Sequence, residues 1–172
     1  NNFLHSPDVY MYKIAIGKKF EGFKIDFESP PEDIVNNLSK YSGVKTDNLV
    51  VCILDRPRHS ELIKSIRNTG ARIKLISDGD VSAVIATTID DSGVDIYMGS
   101  GGAPEGVLAA AALRCLGGKI IGKLIINSDD EKLRAEKSGI TDFKKIYTTT
   151  DLASGDVMFA ATGVTDGTLL KG

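Results

Sequence analysis

Short apolar runs alternate along the chain with segments whose apolar residues recur every three or four positions, and the two periods predict strands and helices in turn. Residues 11–17, MYKIAIG, alternate as a strand does, and residues 29–41 follow as a proline-led helix with Ile34, Val35 and Leu38 on one face. The run LVVCIL at 49–54 is rich in β-branched residues and predicts a strand covered on both faces. Leu62, Ile63 and Ile66 then recur at helical spacing up to Gly70, a glycine that stops a helix. RIKLI at 72–76 is the next strand, 81–87 the next helix, and 94–98 a third strand that leads into a glycine-rich turn at 99–102. Pro104 suits the first position of the helix that follows, and because residues 107–116 are nearly all apolar this helix is expected to be buried on most sides. Strands at 119–126, 144–148 and 158–162, a short charged helix at 129–137 and a turn at 163–167 complete the chain.

Alternating strands and helices predict an α/β fold with a mostly parallel or mixed sheet flanked by helices. In such sheets ligands bind beyond the carboxyl ends of the strands. Three segments at predicted strand ends carry chemistry: Arg56 to His59, Asp78 to Asp80, and Gly99 to Glu105. The fold class therefore predicts that they converge.

Composition narrows the partners. With 21 Lys and Arg against 23 Asp and Glu, the net charge of −2 offers no broad attraction for nucleic acid or an anionic membrane. No apolar run approaches the length of a membrane span, and no signal peptide is visible. Cys52 and Cys115 lie in apolar stretches without CxxC spacing, which predicts buried, reduced thiols in a cytoplasmic protein. His5 and His59 are the only histidines, too few for a histidine-rich metal site. The chain starts without Met, and we expect it to be part of a longer protein.

Each candidate residue carries two readings at this level. Glu105 in the first helical turn either compensates the helix N-terminus or ligates a hard cation while the preceding glycines accommodate an oxyanion. The run lacks the lysine of a nucleotide-binding P-loop. Arg56 and Arg58 flank Pro57 and form either a solvated basic turn or a pair of guanidinium groups for a phosphate. His59 reads as a helix cap rather than a base. Asp78 and Asp80, around Gly79, either cap the next helix, or take hydrogen bonds from sugar hydroxyls or approach a metal. Asp166, beside Gly167, reads as a turn former.

Together LHSPDVYM, LDRPRHSELI, LISDGDVSAVI, MGSGGAPEGVLAAAALRCLGG and FAATGVTDGTLLKG resemble the class II fructose-1,6-bisphosphatases over nearly the whole chain. The resemblance implies a layered sugar-phosphatase-like fold and an enzyme that uses Mn²⁺ or Mg²⁺ to hydrolyse the 1-phosphate of fructose 1,6-bisphosphate in gluconeogenesis; some relatives act on sedoheptulose 1,7-bisphosphate. It implies that Glu105 is a metal ligand, and that Tyr10, Arg56, Pro57, Arg58, Asp78, Gly79, Asp80 and Gly102 bind substrate. Most of the family's metal-binding carboxylates lie in an N-terminal half not found in this sequence. Residues 1–172 therefore read as the C-terminal, sugar-phosphate-binding portion, acting by self-association or with the remaining portion, and no general base or other catalytic residue is assigned. A non-catalytic sugar-phosphate-binding module is the alternative.

Overall fold

Where the sequence alternates the two periods, the chain folds into three layers. The structure is a computed structural model and describes residues 2–164, 166, 167 and 169–172. Its strands are β1 (Tyr10–Ile16), β2 (Val50–Leu54), β3 (Arg72–Ile76), β4 (Ile96–Gly102), β5 (Lys119–Ile125) and β6 (Ile146–Thr148). Its helices are α1 (Pro31–Ser42), α2 (Ser60–Asn68), α3 (Asp80–Ala86), α4 (Ala103–Leu116), α5 (Asp129–Lys137) and α6 (Thr149–Leu152). The strands form one sheet in the order β3-β2-β4-β1-β5-β6. β2 runs parallel to β3 and β4, whereas β1 is antiparallel to β4 and β5, and β6 is antiparallel to β5. The sheet is thus mixed. Its parallel block gathers the carboxyl ends of β2, β3 and β4 on one edge, and β1, running the other way, begins there.

Burial follows the strand period. On one face Ile14, Ile16, Val51, Ile53, Ile96 and Met98 pack with Ile34, Val35 and Leu38 of α1 and Ile63 and Ile66 of α2. On the other face Met11, Ala15, Cys52, Tyr97, Ile120 and Leu124 pack with α3, α4 and α6. Buried Ala109, Ala110 and Ala112 present little bulk, so α4 lies close to its neighbours. α1 starts at Pro31, carries Glu32 and Asp33 in its first turn, and stops at Gly43 in the left-handed region (φ 71°). No helix among the described residues is long and apolar enough to cross a membrane.

Four expectations change. The glycines at 99–102 do not turn: they continue β4, pairing in register with Tyr10 to Lys13 of β1. Glycine is disfavoured inside strands, but β1 pairs with the whole stretch, while β2 pairs with β4 only at Ile96 and Tyr97, and the hydrogen bonds to β1 outweigh the propensity. α4 begins at once at Ala103, which moves Pro104 to the second helical position. Residues 158–162 form no strand, and Met158 is 91% exposed, because no strand of the sheet pairs with them. Cys115 is exposed on the last turn of α4, with Sγ 3.5 Å from the Val157 carbonyl, whereas Cys52 is buried and its thiol is pushed up to about 11 by burial. Part of the expected 163–167 turn, Thr165, lies outside the described residues; beside it, Asp166 accepts from the Gly172 amide at 3.0 Å, as a turn former does.

Candidate functional site at the carboxyl edge of the sheet

The three segments do meet. Arg56 to His59 leave the end of β2, Asp78 and Gly79 leave β3, and β4 delivers Gly99 to Gly102 directly into α4. Tyr10, the first residue of β1, stands opposite Gly102.

Two side-chain braces lock this edge. In the first, Arg58 donates from Nη2 and Nε to the Ser100 carbonyl at 2.9 and 3.2 Å, and from Nε to Ser100 Oγ at 3.1 Å. Its guanidinium also lies over the Tyr10 ring, 4.9 Å from the centroid, a cation–π contact. His59, only 2% exposed, accepts from the Ser100 amide at Nε2 (2.8 Å). Nδ1 therefore carries the proton and donates it to the Leu54 carbonyl at 2.8 Å. Burial, reinforced by the Arg58 and Arg56 charges, holds this imidazole below its ordinary pKa, although its bond to the Leu54 carbonyl opposes the shift. His59 thus holds the N-cap position of α2 without a side-chain cap bond, its ring serving as a buried tie between two strand ends.

The second brace is an ion pair that the sequence reading missed. Lys13 of β1, 1% exposed, donates from Nζ to Asp80 Oδ2 at 2.5 Å and to the Gly102 carbonyl at 3.0 Å. The alternation of MYKIAIG carried the signal: Lys13 is in phase with Met11 and Ala15, which face α4, and a charge in core phase demands a partner. Glycines make room for these braces. A Cβ at Gly101 would collide with Asp80 Oδ2, one at Gly106 would sit 3.2 Å from Lys13 Cδ, and one at Gly99 would sit 3.1 Å from the His59 ring. The run that looked like an oxyanion cradle is occupied on this face by the protein's own side chains.

The remaining candidates are open. Glu105 is exposed in the first turn of α4 and folds back over Gly102, where a Cβ would strike its carboxylate. The Arg56 side chain donates only to the neighbouring Asp55 carbonyl, at 3.3 Å, among the described residues. Pro57 starts a single 3-10 turn, with the His59 amide bonded to the Arg56 carbonyl at 2.9 Å. Asp78 is exposed and accepts from the Gly79 amide at 2.8 Å; Gly79 (φ 84°) is the N-cap of α3 and makes no side-chain cap bond. Neither aspartate is the helix cap. The Tyr97 hydroxyl, beneath Gly99, is buried without a hydrogen-bond partner among the described residues.

No group of three or more His, Cys, Asp or Glu able to hold a metal ion occurs among the described residues. Glu105 fits one hard-cation ligand and no more. Two cavities border the candidate segment at the end of β3, one lined by Gly79 and Ser82 and one by Asp78 and Ser82. The largest cavity described, about 530 Å³ and lined by Lys18, Lys19, Arg72, Asp90 and Asp95, lies at the opposite edge of the sheet.

The chain matches, over residues 1–172, the family model described as bacterial fructose-1,6-bisphosphatase, glpX-encoded. It is 40% identical over 182 residues to the D-fructose 1,6-bisphosphatase class 2/sedoheptulose 1,7-bisphosphatase of Synechococcus sp. (strain JA-3-3Ab), covering 98% of this chain and 52% of that protein. A protein of the same name from Microcystis aeruginosa (strain NIES-843 / IAM M-2473) is 42% identical over 180 residues, covering 97% of this chain and 52% of its own length. The chain spans about half the length of the curated relatives it matches. On the strength of a match that runs its whole length, this chain belongs to the family of bacterial, glpX-encoded fructose-1,6-bisphosphatases.

Proposed function

We propose that this chain forms the substrate-binding wall of a metal-dependent phosphatase that hydrolyses the 1-phosphate of fructose 1,6-bisphosphate, giving fructose 6-phosphate and inorganic phosphate. The relatives' name supports the reading and extends it to sedoheptulose 1,7-bisphosphate. The observation that carries it is the company Glu105 keeps: an exposed carboxylate at the start of α4, on the edge that also bears Tyr10, Arg58 and Asp80.

Each residue's part follows from its chemistry. Arg56, with most of its donors unused by the protein, and the remaining donors of Arg58 would hold the phosphate that stays on the sugar, where guanidinium groups form paired, charge-assisted bonds. Asp78 and the part of Asp80 left exposed would accept hydrogen bonds from sugar hydroxyls, and Gly102 would let the sugar approach the backbone. Tyr10 would close one side of that position. Glu105 would hold Mn²⁺ or Mg²⁺ together with carboxylates from another polypeptide segment, and the ion would polarise the phosphoryl oxygen and activate water. The two unpaired cysteines fit a reducing, cytoplasmic setting.

The test is release of inorganic phosphate from fructose 1,6-bisphosphate in Mn²⁺ by the protein as its gene encodes it. Glu105→Gln is expected to lower the rate more than about a hundredfold, since even groups that only support a ligand are worth ten- to hundredfold. A sugar-phosphate-binding module without catalysis is the second reading, favoured by the lack of a complete ligand cluster among the described residues. Binding that needs no metal and is indifferent to Glu105→Gln would establish the module and sink the enzyme.

A further inference from the structure

Lys13 has no place in the scheme above, yet no side chain in the site is built in more tightly. A lysine 1% exposed has given up its hydration shell, a cost that a protein carries only when the ammonium finds fixed acceptors. Here the acceptors are Asp80 Oδ2 and the Gly102 carbonyl, one from each of two segments that approach the proposed sugar position from different sides. Two glycines are spent on the arrangement, Gly101 beside the carboxylate and Gly106 beside the lysine stem. The pair is not simply sealed in the core. The Asp80 side chain keeps 13% exposure, and its Oδ1 takes no hydrogen bond from the described residues.

We infer that Lys13 is a positioning residue for the sugar: it pins one oxygen of Asp80 so that the other faces the substrate's hydroxyl groups, and it holds the Gly102 carbonyl so that the backbone beside them keeps its shape. The inference rests on the bisphosphatase reading and goes beyond it in naming what orients Asp80. Lys13 never touches substrate. Its effect falls on the polyol part of the ligand, which Asp80 meets, and not on the phosphates, which the arginines meet.

That division sets the experiment, done with the protein as its gene encodes it. Lys13→Met keeps the length of the stem and removes the ammonium. The KM for fructose 1,6-bisphosphate is expected to rise about tenfold, the scale of one charge-assisted hydrogen bond, while kcat stays within about threefold. Inhibition by hexane-1,6-diol bisphosphate, which spans similar phosphates without hydroxyls, is expected to stay within about twofold. A purely structural role would lower the amount of active protein and so kcat, leaving KM in place. Should Lys13→Met fail to fold, Gly106→Ala keeps both charges but crowds the lysine stem, 3.2 Å from the added methyl, as well as the flexible Met11 Sδ at 3.0 Å, and the same pattern is expected at about threefold in KM. An unchanged KM in the variant that folds, or equal weakening of the hydroxyl-free inhibitor, overturns the inference and leaves the bisphosphatase reading standing. An unsubstituted protein that releases no phosphate overturns both.

Discussion

The imidazole of His59 is buried with its Nε2 accepting from the Ser100 amide at 2.8 Å and 3.0 Å from Ser100 Oγ, and the amide bond disfavours a second ring proton. Its folded pKa lies below the ordinary 6.5, chiefly through burial. Between those two values the unfolded chain binds more protons than the folded one, so stability rises with pH across that window. The contribution is complete above about pH 6.5 and is lost as pH falls towards the folded value. We expect the melting temperature to drop between pH 7 and pH 5, and His59→Gln to flatten that drop; parallel melting curves for the two proteins across this range would show that the brace does not titrate. Histidine beside two arginines looks like surface chemistry in the sequence, and only packing reveals that it is core.

Among the elements, α4 ties the sheet to the helices on its face, packing against α3, α6 and β5. Its apolar composition is legible in the chain, and eight of its residues are indeed buried. Leu113 is fully buried on it, so Leu113→Ala is expected to cost about 2–5 kcal/mol, as large-to-small core substitutions do, read as a fall in the urea midpoint. A loss under about 1 kcal/mol would mean that the neighbouring residues collapse into the space. The opposite lesson comes from the strand before it. GSGG at 99–102 reads as a turn because glycine favours turns, yet pairing with β1 draws it into the sheet. Pairing between strands distant in sequence is absent from any local window.

For the molecule as a whole, a carboxyl edge with one candidate metal ligand falls short of the ligand count that the proposed metal chemistry needs. The 172-residue chain by itself is therefore expected to release no phosphate from fructose 1,6-bisphosphate in Mn²⁺ above a metal-only control. Turnover by it would show that its own residues suffice. The sequence placed Arg56 to Arg58, Asp78 to Asp80 and Glu105 at strand ends, and the parallel block of β2, β3 and β4 brings those ends to one edge. Tyr10 joins them because β1 is antiparallel and central, a position that no periodicity encodes.

The sequence by itself determined the helix and strand periods, the α/β class, the buried character of α4 and the residue types at the strand ends, because each depends on neighbours a few positions away. Tertiary structure decided which way β1 runs, that the glycines extend β4, that Cys115 is exposed, and that Lys13 meets Asp80 and His59 meets Ser100. Those contacts join residues 67 and 41 positions apart. They exist only once hydrophobic burial has closed the chain between them, so their energies belong to the fold and not to any segment.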